Sequence, residues 1–288
     1  MGKLPLTWRQ VALCTLLIAA AALLLSAHDT VAQAVRDGLL LCGQSIIPSL
    51  FPLFVAVSLL IGCGLGNFFS PRTTALVLGL VGGYPMGAKA ISALIDNGSL
   101  DQNSGQHLLL CCNNAGPAFI LGIAGHSVFN SAAVGWALYA IHALSALILF
   151  ALLPCKKMSP CSPQPPPSFA RVFVSAVSTG VTTMANICGF VILFLVVLRL
   201  LTAYTGLCHP LFLGAIELTN GILSLPNTAD GFVLAAALLG FGGFSVHCQT
   251  AAVLEGSGLH LFPYLSAKLA QAGISVVLAF AVRGWFFR

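Results

Sequence analysis

The chain has 288 residues, 58% of them hydrophobic and 7% charged, with a mean hydropathy of +0.98. A soluble domain carries about 25% charged residues, so a water-facing shell is excluded and the lipid bilayer is the implied surrounding. The twelve basic and seven acidic side chains give a net charge of +5; most of them sit at the edges of apolar runs, and they form no clustered basic face for a nucleic-acid partner.

Lys3 and Arg9 precede the apolar stretch from Val11 to Ala27. Leu25 and Ala27 make a poor small-x-small cleavage site, so residues 1–30 are expected to hold an uncleaved transmembrane helix with a cytoplasmic N-terminus. A span needs about 20 apolar residues. The further candidates are Gln44 to Leu65, Thr74 to Ile95, Gln106 to Gly125, Ala132 to Leu153, Ser178 to Tyr204, His209 to Leu225, Gly231 to Leu254 and Leu261 to Val282. Whether the 17 residues from His209 to Leu225 cross is left open. The segment from Pro154 to Ser168 holds six prolines, which remove donors and block the preceding turn, so it cannot be helical. It divides the chain into a first repeat over 31–153, a cytoplasmic linker over 154–173 and a second repeat over 174–288.

The halves resemble each other. Gly82-Gly83-Tyr84-Pro85 falls on Gly242-Gly243-Phe244-Ser245 at an offset of 160, with Lys89 on Gln249, and Asn114-Ala115-Gly116 falls on Gln271-Ala272-Gly273 at an offset of 157. If every candidate spans, the linker with Lys156, Lys157 and Arg171 lies outside, against the positive-inside rule. If Thr74 to Ile95 instead enters and returns at Gly82-Gly83, then Arg72, Lys156, Lys157 and Arg171 are all cytoplasmic. Arg283 and Arg288 join them if Gly231 to Leu254 also folds back and His209 to Leu225 does not cross. The expected fold is therefore an all-α polytopic membrane protein of two inverted repeats, each with a re-entrant helical hairpin and a broken helix. Such hairpins are tolerated where they line a cavity, and paired glycine-interrupted segments point to a solute site.

Three ionisable residues lie deep in apolar sequence: Lys89, Glu217 and Lys268. A charge at a helix centre costs about 2.5–3.5 kcal/mol on insertion scales, so each should face a cavity or a partner. The lysines either snorkel or bind solute, and Glu217 either pairs with one of them or takes part in the site. Together they make a site biased toward an anionic small molecule. Asn113 and Asn114, before Pro117, interrupt their helix and supply amides that bind a ligand or repair the ladder. Gly82, Gly83, Gly242 and Gly243 suit tight turns between half-helices. Tyr84 could stack on an aromatic ligand or pack, and Ser245, Gln249 and His247 follow the second glycine pair. The ten cysteines contain no C-x-x-C pair and the histidines no metal spacing, so neither a metal nor a cofactor is expected. Without G-x-S-x-G, H-E-x-x-H or a close carboxylate pair, no enzyme is expected either.

Pro48-Ser49-Leu50-Phe51-Pro52, Gly82-Gly83-Tyr84-Pro85-Met86-Gly87-Ala88-Lys89, Cys112-Asn113-Asn114-Ala115-Gly116-Pro117, Glu217-Leu218-Thr219-Asn220-Gly221 and the run from Gly242 to Gln249 resemble the motifs of the YlbJ-type sporulation integral membrane proteins. That family carries the nucleoside-recognition gate domain and is similar to concentrative nucleoside transporters. The resemblance implies a role in endospore formation, passing dipicolinic acid across the outer forespore membrane. Two other readings stand beside it. One is transport of a nucleoside or other neutral solute with a coupling ion, for which Glu217 would be the ion-linked group, and the other is a membrane scaffold or sensor that moves nothing. Oligomeric state and transport direction have no signal in the sequence.

Overall fold

A computed structural model describes residues 7–64, 69–96, 98–152 and 168–287. Pro154 to Pro167, with Lys156 and Lys157, and Lys3 and Arg288 lie outside the described residues, so the expectations placed on them are not addressed. Helix α1 (Trp8–Ser26) opens on a capping box in which Thr7 and Gln10 satisfy each other's backbone N–H groups. It buries no side chain, as suits an apolar helix whose neighbour is lipid. Helix α2 (His28–Leu41) runs through a π-helical turn (Cys42–Ile46) into α3 (Ile47–Gly62). The crossing thus starts 16 residues earlier than Gln44, because Asp29, Arg36 and Asp37 lie on its first turns and interrupt the apolar signal without ending the helix.

Next, α4 (Pro71–Val81) and α5 (Met86–Asp96) pack against each other as a hairpin. Its turn uses Gly83 at φ +76°, a region only glycine enters freely. Helix α6 (Gln102–Cys112) stops at Asn113, and the chain resumes as α7 (Pro117–Phe119) and a π-helical stretch (Ile120–Val128). The uninterrupted helix α8 (Ala132–Leu152) closes the first half.

The second half repeats this order. The long helix α9 (Phe169–Thr205) begins before Ser178, so residues 169–173 are helix and not linker. Helices α10 (Pro210–Ile216) and α11 (Leu218–Leu223) double back at Glu217. Their backbones meet at Gly214 and Gly221, where any Cβ on Gly221 would run into Gly214 Cα. Then α12 (Ala229–Phe241) and α13 (Gly243–Leu254) form one apolar span interrupted at Gly242, and α14 (Leu261–Val282) is uninterrupted.

This corrects the internal register. Gly242-Gly243 is the break of a continuous span and not a hairpin tip: α12 packs on α14 and α8, while α13 packs on α9, α5 and α10. The hairpin of the second half is His209 to Leu225, reversed by close glycines and a capping carboxylate rather than by a Gly-Gly pair. The breaks at Asn114 and Gly242 correspond, 128 residues apart, in place of the offsets of 160 and 157.

Polar contacts sort to two ends. At one, Arg72 donates to Phe150 O, Gln102 to Ser257 O and Gln106 to His260 O. At the other, Arg199 pairs with Asp37, Asn227 donates to Phe129 O and Arg283 pairs with Asp230. Because α12 and α13 run through, Arg283 lies at the end opposite Arg72, which corrects the expectation that both share a side. Its pairing with Asp230 at 3.1 Å offsets the misplaced charge. Among the described residues seven stretches are long and apolar enough to cross a membrane, and large hydrophobic side chains such as Leu25, Trp136, Leu193, Val277 and Phe280 face outward. The chain is a multi-pass, all-α membrane protein.

Candidate functional site

Each broken helix is seated on the hairpin of its own half. Gly79 of α4 and Gly87 of α5 both press on the Cys112 carbonyl so closely that a Cβ on either would strike it, and a Cβ on Gly83 would come 2.9 Å from Gly116 N. In the second half Gly243, at φ +78°, leaves a Cβ position 2.7 Å from Gly214 O and 3.2 Å from Leu218 N. The two assemblies meet where the Tyr84 hydroxyl lies 3.0 Å from the Cβ position of Gly242.

The break after α6 strands backbone groups in the protein interior, where each needs a partner. The side chains of the break itself, with side chains from three other helices and one backbone N–H from α5, build a hydrogen-bonded cluster around them. Asn113 Oδ1 accepts from Ala88 N at 3.3 Å, and its Nδ2 donates to Thr250 Oγ1 and to the Tyr264 hydroxyl at 2.9 and 3.1 Å. Asn114 Nδ2 donates back to Cys111 O at 2.7 Å, and Ala115 N donates to His142 Nε2 at 3.1 Å. From α14, Lys268 Nζ donates to Asn113 O, Asn114 Oδ1 and Gln271 Oε1 at 3.0, 3.3 and 2.6 Å. Gln271 Nε2 donates to Asn114 Oδ1 at 3.0 Å and to Ser145 Oγ at 3.3 Å, and Ser275 meets Ser145 at 3.1 Å. Lys268, Asn113, Asn114, Gln271, Ser145 and Ser275 are all 0% exposed.

Beside this cluster a cavity of about 60 Å³ is lined by Gly82, Gly83 and Tyr84 of the first hairpin, Ala115 and Gly116 of the first break, Glu217, Leu218 and Thr219 of the second hairpin, and Val246 and Gln249 of α13. Ile46, Leu50, Phe119, Ile187 and Val191 complete the wall. Glu217 is 1% exposed and makes no ion pair among the described residues. Its carboxylate accepts from Thr219 N, Asn220 N and Asn220 Nδ2 at 3.1, 2.8 and 2.7 Å, capping α11.

The residues singled out from sequence therefore fall into separate groups. Gly82, Gly83, Tyr84, Glu217 and Gln249 line the cavity, and Asn113, Asn114 and Lys268 form the cluster behind it. Gly242 and Gly243 make the second break, and Ser245 accepts weakly from Gln249 at 3.4 Å. Lys89 is half-buried on α5 and belongs to neither the cavity wall nor the cluster. An assembly of two cations and one anion around one solute is thus not what the fold builds: of the three, Glu217 alone lines the cavity. Lys268 stands behind the Tyr84 ring, 5.3 Å from its centroid.

His142, Ser145, Thr250, Tyr264 and Ser275 were not singled out from sequence. A signal for part of this set was present: Lys268, Gln271 and Ser275 recur at helical spacing on one face of an otherwise apolar span, as do His142 and Ser145.

Two hairpins and two interrupted helices around a buried polar cluster and a small interior cavity define a polytopic membrane protein. The chain is similar to the sporulation integral membrane protein YlbJ of Bacillus subtilis (strain 168), with 26% identity over 331 aligned residues, 91% of this chain and 81% of that protein. That likeness, over nearly the whole length, bears out the YlbJ-type resemblance of the motifs. No family model and no solved structure matches the chain.

Proposed function

We propose that the protein transports a small polar solute by alternating access at the cavity between the two hairpins, with dipicolinate as the solute that the YlbJ-type resemblance implies. The observation that carries this reading is the convergence of Gly82 to Tyr84 and Glu217 to Thr219 on one cavity from opposite halves. Three crossings separate equivalent helices of the halves, so the repeats are inverted, and each hairpin reaches the cavity from its own side as an independent gate. At about 60 Å³ the cavity holds a few waters, so this is an occluded form and a tip must withdraw to admit solute. The N-terminus is then cytoplasmic and the ends of α9 and α14 lie across the membrane. A sporulating cell would carry the protein in its outer forespore membrane.

For a planar aromatic dianion, the Tyr84 ring offers a stacking face and Lys268 a positive charge behind it. A second reading is favoured by Glu217: a carboxylate in the wall suits a neutral, hydroxyl-bearing solute such as a nucleoside. Uptake of dipicolinate and of uridine into proteoliposomes, with and without ion gradients, separates the two. Uptake of neither, with the protein folded, favours a scaffold or sensor and overturns the transport reading.

A further inference from the structure

The ammonium of Lys268 is held in an unusual way for a buried charge. Buried cations are ordinarily paired with a carboxylate, yet among the described residues Lys268 has no acidic partner. Its three acceptors are neutral oxygens: the main-chain carbonyl of Asn113, Asn114 Oδ1 and Gln271 Oε1. The face of Tyr84 covers a fourth side. The carboxyl of Glu217, also buried in the core, accepts instead from Thr219 and Asn220 at the start of α11.

The oxygens are set in place without help from the lysine. Asn114 Nδ2 is tied to Cys111 O, and Gln271 Nε2 is tied to Ser145 Oγ and His142 O. Each amide therefore has its nitrogen engaged on α6 or α8, and its oxygen is left pointing inward. The Asn113 carbonyl stands just past the last turn of α6, where a helix end carries partial negative charge. Cys111, Cys112, His142, His247, Tyr84 and Tyr264 surround this group from α6, α8, α13, the first hairpin and α14, and none carries a fixed negative charge. Prearranged neutral oxygens and an aromatic face are what a desolvated monovalent cation requires.

We propose that this cage at the α6 break is a monovalent-cation site whose resident cation is the ammonium of Lys268, supplied on the chain itself, and that a free ammonium ion enters it when the side chain is removed. Where the protein is read as a transporter, which rests on the preceding section, the tethered charge occupies the place of a coupling ion, and solute moves without sodium or potassium binding there.

The test uses the purified full-length chain in detergent and needs no knowledge of the solute. Thermal unfolding is followed in ammonium, potassium, sodium and choline chloride at equal ionic strength. The wild type should melt at one temperature in all four. Lys268→Ala should melt lower in choline and regain stability in ammonium, its midpoint climbing with each tenfold rise in ammonium as a ligand-linked equilibrium demands. Lys268→Met, whose apolar stem fills the space, should melt lower and respond to no cation. Equal melting of Lys268→Ala in ammonium and choline overturns the proposal, as does a wild type stabilised by sodium or potassium. So does a Lys268→Ala that stays unfolded in ammonium while Lys268→Met folds. A failed uptake assay would sink the transport reading and leave the cage result standing.

Discussion

The hydroxyl of Tyr84, at the tip of the first hairpin, lies 3.0 Å from where a Cβ on Gly242 would stand, so one half's hairpin touches the break of the other half's helix. Gly242 also sits at φ +97°, which disfavours any side chain. Gly242→Ala should therefore lower the melting temperature and abolish solute uptake. Adding Tyr84→Phe should recover part of the stability, because the steric term goes and the backbone term stays.

Tyr84→Phe alone separates packing from binding. The hydroxyl is buried and has no hydrogen-bond partner among the described residues, so its removal should leave the stability read from thermal unfolding unchanged or raise it, by up to about 1 kcal/mol. A solute that satisfies the hydroxyl should then bind about fivefold more weakly. Unchanged affinity by calorimetry would place the solute elsewhere.

Asn114 and Gln271 share the cage around Lys268, so their substitutions should not add. Asn114→Ala and Gln271→Ala should each cost about 1–3 kcal/mol by leaving a buried partner unsatisfied. A double-mutant cycle on thermal unfolding should show a coupling of about 0.5–3 kcal/mol, and strict additivity would contradict the network.

The clasp of the first hairpin on Cys112 predicts unequal glycines. Gly79→Ala and Gly87→Ala place a methyl against a backbone carbonyl that cannot move aside and should cost at least about 1–3 kcal/mol. Gly273→Ala faces open space in the middle of α14 and should stabilise by about 0.5–1 kcal/mol through helix propensity. Melting curves of the three variants decide this.

Asp101 caps α6, accepting from Ser104 N at 3.0 Å and from Ser104 Oγ at 2.7 Å, and these bonds hold its carboxyl below the usual range. A depressed carboxylate contributes stability above its unfolded value and loses it as pH falls through the folded one. Asp101→Ala should thus lower the stability read from thermal unfolding at neutral pH, by about 0.5–1 kcal/mol for an exposed cap, and the difference from wild type should close in acid.

Much of the helical order was legible because long apolar runs and the punctuation at Gly82-Gly83 and Asn113 to Pro117 report directly on span and interruption. The second hairpin was not. Two glycines in a row mark both a hairpin tip and a broken span, and what distinguishes them is the direction of the following helix, which depends on packing. At Glu217 the reversal is made by Gly214 and Gly221, seven positions apart, a spacing that carries no turn chemistry. Asn114 and Gln271, alike in sequence context, are not equivalents but partners, joined at 3.0 Å. Lys89, Glu217 and Lys268 were visible as costly charges, but which faces the cavity is decided by helix rotation.

The polar contacts at the ends of the bundle have a consequence for how it would open. Between halves, one end is joined by Gln102 to Ser257 O and by a reciprocal pair between Gln106 and His260. The other has Asn227 to Phe129 O and the exposed pair of Arg199 with Asp37, and a surface ion pair adds little. The Gln106 end thus carries three hydrogen bonds between the halves and the other end two. On the transport reading proposed above, opening the Gln106 end would break these polar bonds, whereas opening the other would part Phe129 from Phe232 and Phe287.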